Sequence, residues 1–234
     1  MGKRRVARVA VIVQARMGST RLPDKSMRLL HGIPIVEWVY RRMSRLTFEN
    51  QLIFAVPENS TDDALADFIK GLGVRVYRGS ECDVLDRFYK AALECDAELV
   101  VRVCADNPFV SASEVDRLIH FYQTSDCDYA YNHIPKGNRY PDGLGAEIAS
   151  FETLEVIHRE ATEQDHREHI FNYIWDNEDR FSIATFDPDD QRLLHPELKL
   201  DVDTPEDFER LERHNVRIDM EAHEIVAALL QESV

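Results

Sequence analysis

The feature that most constrains the fold is an apolar run that ends in a short, strongly cationic loop. Val9–Val13 is entirely apolar and belongs to a predicted strand over Val6–Val13, as expected for a strand that is covered on both faces. Gln14–Lys25 follows directly. Three cations, a glycine and two hydroxyls crowd into this loop: Arg16, Arg21, Lys25, Gly18, Ser19 and Thr20. The pattern predicts a buried strand that delivers a positive loop to one end of a sheet.

Strand and helix signals alternate through the first half of the chain. The predicted strands are Val6–Val13, Leu52–Val56, Val74–Tyr77 and Glu98–Val103, and helices are predicted to begin at Pro34, Ser60, Asp83 and Ser111. Four βα units in succession predict an α/β fold with a doubly wound, mostly parallel sheet. In such a sheet ligands bind at the carboxyl ends of the strands, where both the cationic loop and Asp106 are placed.

The second half is less regular. Its predicted strands are Gly145–Ala149, Phe181–Phe186 and Leu198–Val202, and its predicted helices are Phe151–Glu160, Asp165–Trp175, one that begins at Thr204, and Glu221–Leu230. Neither an internal repeat nor a linker is evident. We therefore expect one domain over residues 1–234, with an inserted lobe at about 130–187.

Charge and cysteine content exclude several classes of function. The 234 residues include 43 acids and 28 bases, for a net charge of -15. Broad nucleic-acid binding needs many unopposed cations, so no nucleic-acid partner is expected. The cysteines Cys82, Cys95, Cys104 and Cys127 show no CxxC spacing and are expected to be reduced. The apolar run after Met1–Arg5 is too short for a membrane span, so a cytoplasmic protein without a membrane partner is expected.

The cationic loop suits a small polyanion such as a nucleoside triphosphate. Its bases supply charge, while Gly18, Ser19 and Thr20 supply close backbone approach and hydroxyls. The sequence is neither a GxxxxGK[ST] loop nor a GxGxxG turn. The alternative is a solvated surface loop with scattered bases.

Two aspartates at predicted strand ends are candidates for a metal site. Asp106 follows Glu98–Val103, and Asp203 follows Leu198–Val202, where period-two alternation puts Lys199, Asp201 and Asp203 on one face. Two carboxylates beside a phosphate site suit Mg²⁺, which completes its shell with water and phosphate oxygens. The alternative for Asp203 is a helix cap, because acids are common where helices begin.

His166 and His169 are close enough in sequence to share a helix face. A zinc site would need further ligands, and HExxH is missing. Contact with a substrate, or an ordinary surface position, is the simpler interpretation. A Gly-x-Ser-x-Gly elbow is also missing, which disfavours a hydrolase.

Several motifs together resemble the cytidylyltransferase family that activates acidic sugars, which includes the Kdo and acylneuraminate enzymes, and most of all its spore-coat polysaccharide branch. The motifs are Gln14–Lys25, Asp83–Phe88, Arg102–Pro108, Pro141–Leu144 and Leu200–Asp207. They span nearly the whole chain in the family's order. Two details matter for the acceptor: Cys104-Ala105-Asp106 has alanine where many relatives have glycine, and Asp83–Phe88 fits the spore-coat branch rather than the Kdo pattern.

The resemblance implies a glycosyltransferase-A-like nucleotidyltransferase fold and a reaction of CTP with a sugar hydroxyl that releases pyrophosphate. It implies Mg²⁺ as cofactor and a homodimer as the assembly. Its catalytic residues would be Arg16, Lys25, Asp106 and Asp203, of which the two aspartates would hold the metal. Its nucleotide-binding residues would be Ala15, Arg16, Gly18, Ser19, Arg21, Lys25, Asp86, Arg87 and Asp106, and its sugar-binding residues Asp142, Glu147 and His169.

Two other functions remain open from the sequence. The acceptor could instead be a polyol phosphate, a phosphonate or a sugar phosphate, for which Lys136, Arg139 and Arg167 offer extra cations. Alternatively, the chain could be a nucleotide-binding protein without turnover. For the dimer, an aromatic set could form the interface or simply fill the core: Tyr129, Tyr131, Phe171 and Trp175.

Overall fold

The structure, a computed structural model, describes residues 7–231 and is built on nine strands in that range. The strands are β1 (Val9–Gln14), β2 (Leu29–Leu30), β3 (Ile33–Pro34), β4 (Asn50–Pro57), β5 (Arg75–Gly79), β6 (Leu99–Cys104), β7 (Tyr129–Tyr131), β8 (Glu147–Ser150) and β9 (Ile183–Thr185). Val6 and Met1–Arg5, which entered the sequence predictions, lie outside the described residues.

Helices connect these strands. They are α1 (Ile35–Met43), α2 (Asp63–Gly71), α3 (Val84–Glu94), α4 (Ala112–Thr124), α5 (Phe151–Glu160), α6 (Gln164–Glu168), α7 (Asn172–Trp175), α8 (Pro205–Glu212) and α9 (Ala222–Leu230). Short 3-10 turns lie at Lys25–Met27, Ser60–Asp62 and Gln191–Leu193. Among residues 7–231, none of the helices combines the length and the apolar character that a bilayer crossing demands.

Seven of the strands form one sheet in the order β5-β4-β1-β6-β8-β7-β9, and β2 pairs with β3 separately. The pairs β5–β4, β4–β1, β1–β6 and β7–β9 are parallel, whereas β8 is antiparallel to both β6 and β7. The predicted mostly parallel sheet is therefore confirmed. Gln14 at the end of β1 pairs in register with Cys104 at the end of β6, so the segments that follow them leave the same edge of the sheet.

Both faces of the sheet are covered because each central strand is apolar on both sides. In β1, Val9, Val11 and Val13 pack into one buried cluster with α1, α2 and α4. Ala10 and Ile12 pack into the opposite cluster with α3, α5 and α7. This is the arrangement that a continuous apolar run favours over an alternating one.

A third buried cluster lies beyond the sheet edge and holds the C-terminal helices in place. It joins α8 and α9 to Trp38 of α1 and to Leu22 of the cationic loop. The Trp38 indole N–H donates to the carbonyl of Leu30 at 2.8 Å. Since Leu22 is fully buried, this cluster also anchors the outer end of the loop.

The predicted strand at Leu198–Val202 is wrong, although its alternation is real. The segment forms a single parallel bridge between Lys199 and Asp142, and Leu200 and Val202 pack into the third cluster. Its backbone hydrogen bonds go to loops and not to a neighbouring strand. For example, the Val202 N–H donates to the carbonyl of Asp106 at 2.9 Å. The alternation of apolar and polar residues indicated correctly which side chains are buried. A loop can bury alternate side chains as well as a strand can.

Other predicted elements differ in extent. Asp165–Trp175 splits into α6 and α7, because His169 between them has φ -110° and ψ 86°. Phe181–Phe186 shortens to β9, and the sequence analysis missed β7 altogether. A strand of three residues gives little periodic signal, so only its neighbours in the sheet define it.

The aromatic side chains considered for a dimer surface fill the core. Tyr129, Tyr131 and Phe171 are all buried, and Trp175 packs its ring edge against both tyrosines. They therefore offer little surface to a partner. The four cysteines are free thiols, as expected.

Among the glycines of residues 7–231, Gly145, just before β8, has the least room for a side chain. A Cβ at this position would lie 2.1 Å from Asn132 Oδ1 and 2.3 Å from the Asn132 carbonyl. Asn132 in turn accepts from the Ala146 N–H at 2.9 Å. We expect Gly145→Ala to destabilise the protein by about 2 kcal/mol or more, because the backbone must move to admit a methyl group.

Urea denaturation would measure this, with Gly71→Ala as the matched control. Gly71 ends α2, and a Cβ there would have no atom within 4 Å. This control should stabilise the protein by up to about 1 kcal/mol, since alanine is the better helix former. Equal unfolding midpoints for the two variants would contradict the argument from close approach.

Candidate active site

A lysine from the cationic loop meets two aspartates at the edge of the sheet. Lys25 Nζ lies 2.8 Å from Asp106 Oδ2 and 3.4 Å from Asp203 Oδ1. Arg21 Nη2 lies 3.0 Å from the same Asp203 oxygen. Side chains from three distant parts of the sequence thus share one small volume, and Lys25 is mostly buried among them.

The helix cap at α8 belongs to Thr204 and not to Asp203. Thr204 Oγ1 accepts from the Asp207 N–H at 3.2 Å, and the Asp207 carboxylate accepts from the Thr204 N–H at 3.0 Å. Asp207 also accepts from the Asp203 backbone N–H. This capping box fixes the backbone of Asp203 and leaves its carboxylate free to face Lys25.

Asp106 is held by backbone bonds on both sides. The Ala105 N–H donates to the Gln14 carbonyl at 2.9 Å, which ties the end of β6 to the end of β1. The Asp106 carbonyl accepts from Val202, just before Asp203. The two aspartates are therefore positioned by the same short backbone connection.

Buried polar contacts fix the base of the cationic loop. The carboxylate of Asp62, which is 1% exposed, accepts from the Met17 N–H at 2.8 Å. Ser26 Oγ donates to the Arg16 carbonyl at 2.9 Å, and Ser19 Oγ accepts from the Leu22 N–H at 3.2 Å. With Leu22 in the third cluster, the loop is anchored at several points between its two ends, so it is a defined structure and not a loose surface segment.

A cavity of about 380 Å³ opens between this loop, the end of β6 and α6. Of the predicted site residues it brings together Ala15, Arg16, Ser19, Arg21, Lys25, Asp106, His169 and Asp203. Glu168 of α6 also lines it and lies 3.7 Å from Arg16 Nη2. Within residues 7–231, the predicted residues Gly18, Asp86, Arg87, Asp142 and Glu147 are not part of this lining.

Acidic side chains accumulate behind the two aspartates. Burial, followed by the charge of Asp142, raises the pKa of Asp201 to about 7. Burial likewise raises the pKa of Asp142. In the described part of the chain, Asp201 Oδ1 is a buried oxygen without a hydrogen-bond partner. Burial and the neighbouring carboxylates disfavour the ionised form of both side chains, and a cation bound close by would stabilise that form.

The donor set limits which metal fits. Across residues 7–231, the structure contains no group of three or more His, Cys, Asp or Glu side chains arranged to hold a metal ion. His166, one of the two histidines considered for zinc, pairs with Asp176 at 2.8 Å. Two carboxylates, with water and phosphate oxygens as the other ligands, suit a hard ion such as Mg²⁺.

Comparison with known proteins identifies the family of this chain. Residues 10–228 match the sequence profile of the family described as cytidylyltransferase. The chain belongs to the cytidylyltransferase family. It is accordingly a nucleotidyltransferase.

Individual relatives agree. The chain is 32% identical over 232 residues to the spore coat polysaccharide biosynthesis protein SpsF of Bacillus subtilis strain 168, covering 94% of this chain and 93% of that protein. It is 31% identical over 113 residues to the 3-deoxy-manno-octulosonate cytidylyltransferase of Geobacter sulfurreducens, covering 47% and 44%. A cytidylyltransferase structure from Leptospira borgpetersenii superposes with a TM-score of 0.84 at 24% identity, covering 97% of this chain and 98% of that one.

The predicted second nucleotide motif of this cytidylyltransferase lies beneath the cationic loop. Arg87 is fully buried and donates to the Ser80 carbonyl, but its Nε and Nη2 have no partner within residues 7–231. Burial, then the neighbouring charge of Arg16, lowers the pKa of Arg87 to about 10. Asp86 faces away and pairs with Lys90 at 2.7 Å and His158 at 3.0 Å.

Glu147, predicted on the sugar side, forms a buried ion pair. It accepts from Arg102 Nη1, and from the Tyr129 hydroxyl at 2.6 Å. Burial raises the pKa of Glu147, but Arg102, His133 and Tyr129 together outweigh it and leave the pKa below its usual value. The pair is therefore charged at neutral pH.

No role was predicted for Arg102 from the sequence, although this residue begins the motif Arg102–Pro108. Arg102, Gln14 and Cys104 all line the cavity. The available signal was an arginine inside the apolar strand Leu99–Val103, because a central parallel strand seldom holds a charge without a specific partner. Asp62 was missed because its role depends on Met17, which only folding brings near.

The ion pair of Glu147 generates a prediction for stability. A carboxyl with a lowered pKa stabilises the folded state above its unfolded-state pKa and loses that contribution as the pH falls. Glu147→Gln should therefore cost about 3 kcal/mol at pH 7, because Arg102 is left buried and unpaired. The difference from the parent protein should shrink below about pH 4.5.

Thermal unfolding of both proteins from about pH 2.5 to pH 8 measures this difference. Glu209→Gln is the control, since Glu209 is 63% exposed and lies 3.5 Å from Arg213. It should change stability by less than about 0.5 kcal/mol. A Glu147→Gln difference that stays constant with pH would disprove the charged pair.

Proposed function

We propose that this enzyme transfers the cytidylyl group of CTP to a hydroxyl of an acidic sugar and releases pyrophosphate. The observation that carries the proposal is the contact of Lys25 with both Asp106 and Asp203 at the mouth of the cationic loop. A triphosphate needs cations and a metal ion in one place, and this contact joins the two. The names of the two relatives, which concern a polysaccharide and a sugar acid, favour the acceptor class.

In this proposal the loop binds the triphosphate. Arg16, Arg21 and Lys25 would neutralise the phosphate oxygens, and Ser19 lines the same cavity. Arg21 and Lys25 exchange their carboxylate partners for phosphate oxygens when CTP enters. The unpartnered donors of Arg87 beneath the loop support a nucleotide-side role for that residue.

Asp106 and Asp203 would hold Mg²⁺, and the buried, unpartnered Oδ1 of the neighbouring Asp201 supports that fit. When bound, the ion draws charge from phosphate oxygens and orients the α-phosphate. The acceptor oxygen then forms a bond to the α-phosphorus, and the bond from that phosphorus to the bridging oxygen breaks. Pyrophosphate leaves beside Lys25 and the arginines, and the hydroxyl proton passes to solvent.

The segment 130–187 would carry the acceptor side. His169 lines the cavity, and Glu147 reaches it through Arg102. The cations considered for a phosphorylated acceptor lie elsewhere. Arg139 pairs with Asp187, Lys136 lies over the Trp175 ring, and Arg167 pairs with Asp83.

The first test is pyrophosphate release with a panel of nucleotides and acceptors. We expect a preference for CTP with sugar acids, and a loss of roughly 100-fold or more in kcat/KM for Asp203→Ala, as for other single groups that stabilise a charged transition state. Asp67→Asn is the matched control, since Asp67 is 74% exposed and pairs with Lys70. Full activity of Asp203→Ala would remove the metal assignment, and a preference for another nucleotide would reject CTP.

The same panel separates the alternatives. Turnover with polyol phosphates, phosphonates or sugar phosphates but not with sugar acids would move the acceptor class. Calorimetric binding of CTP with Mg²⁺, without pyrophosphate from any acceptor, would indicate a nucleotide-binding protein that lacks turnover.

The dependence of CTP binding on the metal ion can be measured separately. Calorimetry of CTP binding before and after chelation with EDTA should show a weaker affinity without the ion, restored by added Mg²⁺. In Asp203→Ala the added ion should have little effect, because half of the protein's carboxylate ligands is gone. An affinity for CTP that does not change with EDTA would contradict the two-aspartate site.

We also propose that the protein acts as a homodimer. Because Tyr129, Tyr131 and Phe171 are buried, the interface would use other surfaces of the 130–187 segment. Light scattering should give about twice the mass of one chain, and the mass of a single chain would contradict the dimer.

A further inference from the structure

One cation of the cavity has no place in triphosphate binding as proposed. Among residues 7–231, the cavity-lining cations are Arg16, Arg21 and Lys25 from the loop, and Arg102 from the sheet. Arg102 lies in β6, on the same face of the strand as Cys104 and two residues before it. It therefore lies within the sheet, whereas Asp106 follows the end of β6.

The two edges of the Arg102 guanidinium are bonded very differently. Its Nη1 donates to Glu147, a carboxylate that is 4% exposed and also accepts from Tyr129. Its Nε and Nη2 share one neutral oxygen, Gln14 Oε1, at 3.4 Å and 3.3 Å. Both of these distances exceed the usual range for N–H···O bonds. One edge is thus fixed firmly, and the other makes two weak bonds to a single amide oxygen.

The weakly bonded edge has the geometry that recognises oxyanions. Adjacent Nε–H and Nη–H donors match the two oxygens of a carboxylate or phosphate, and such paired bonds are shorter and stronger than bonds to a neutral amide. Gln14 lines the same cavity, so its amide occupies a place that a ligand can reach. An entering anion would replace one shared oxygen with two charged ones.

The surroundings favour this exchange. Burial lowers the pKa of Arg102, but the neighbouring acidic groups, Glu147 among them, raise it by more, so the guanidinium stays protonated. Glu147 orients the guanidinium without needing to touch the ligand.

We propose that the Nε–Nη2 edge of Arg102 binds the anionic group of the acceptor, displacing the Gln14 amide. The inference rests on the proposed function, because the acceptor is the second substrate of that reaction. It makes Arg102 a specificity-determining residue: it selects a small polyhydroxy compound with a carboxylate or phosphate, whose reacting hydroxyl then extends toward Asp106. Neutral sugars of the same size would be rejected because they leave the edge without charged partners.

Kinetics distinguish this role from a purely structural ion pair. Arg102→Lys keeps the charge beside Glu147 and removes the paired donors. We expect the KM for the acceptor to rise roughly tenfold or more, with the KM for CTP changed less than about twofold. Arg192→Lys is the control, since Arg192 is 63% exposed and pairs with Asp190. An unchanged acceptor KM in Arg102→Lys would overturn the inference.

A second readout needs only the parent protein, should the variant fail to fold. The arginine Nε–H resonance of Arg102, assigned through bonds, is followed by NMR during titration of the CTP- and Mg²⁺-saturated protein with three matched probes. These are D-gluconate, D-glucitol 6-phosphate and neutral D-glucitol. We expect a saturable shift with one of the anionic probes and none with D-glucitol, and the responding probe tells whether carboxylate or phosphate is preferred. A resonance that neither anion moves would overturn the inference.

The two proposals can fail separately. If the protein transfers the cytidylyl group but Arg102→Lys leaves the acceptor KM unchanged, or the Arg102 resonance does not move, the Arg102 subsite is rejected and the enzyme activity is retained. If the Arg102 resonance shifts saturably but no acceptor gives pyrophosphate, the activity is rejected and the anion subsite is retained.

Discussion

The site depends on one contact, in which a buried ammonium group lies between two carboxylates that are far apart in sequence. Lys25 can meet Asp106 and Asp203 because β1 and β6 are adjacent parallel strands that end in register. The three charges lower one another's energetic cost of partial burial. In the proposed function, phosphate oxygens and a metal ion would become the partners of these charged side chains.

Most of the surrounding architecture keeps that contact in place. The capping box of Thr204 and Asp207 fixes the backbone of Asp203 without using its carboxylate. A buried Asp62 fixes the base of the cationic loop, and Leu22 fixes its outer part in an apolar cluster. These supports are ordinary stabilising features, yet together they aim three charged side chains at one cavity.

The part of the cavity that β6 lines is stabilised in a different way from the cationic loop. There a fully charged pair, Arg102 and Glu147, is buried inside the sheet, where replacing it with apolar side chains would often stabilise a protein. One edge of Arg102 remains weakly bonded toward the cavity. A buried charge whose second edge is only weakly bonded by the protein fits the proposed anion-binding role.

The sequence alone determined the class of fold, since the run Val9–Val13 and the alternating strand and helix signals require a covered, mostly parallel sheet. It also pointed to Lys25, Asp106 and Asp203, because loops after strands carry polar residues for chemistry. It could not show that the cap of α8 leaves the Asp203 carboxylate out, that Asp86 lies outside the cavity lining, or that Leu198–Val202 is a loop and not a strand. Only the tertiary structure decided these, because periodicity records which side of a segment is buried, whereas a side chain's partners depend on segments that folding alone brings together.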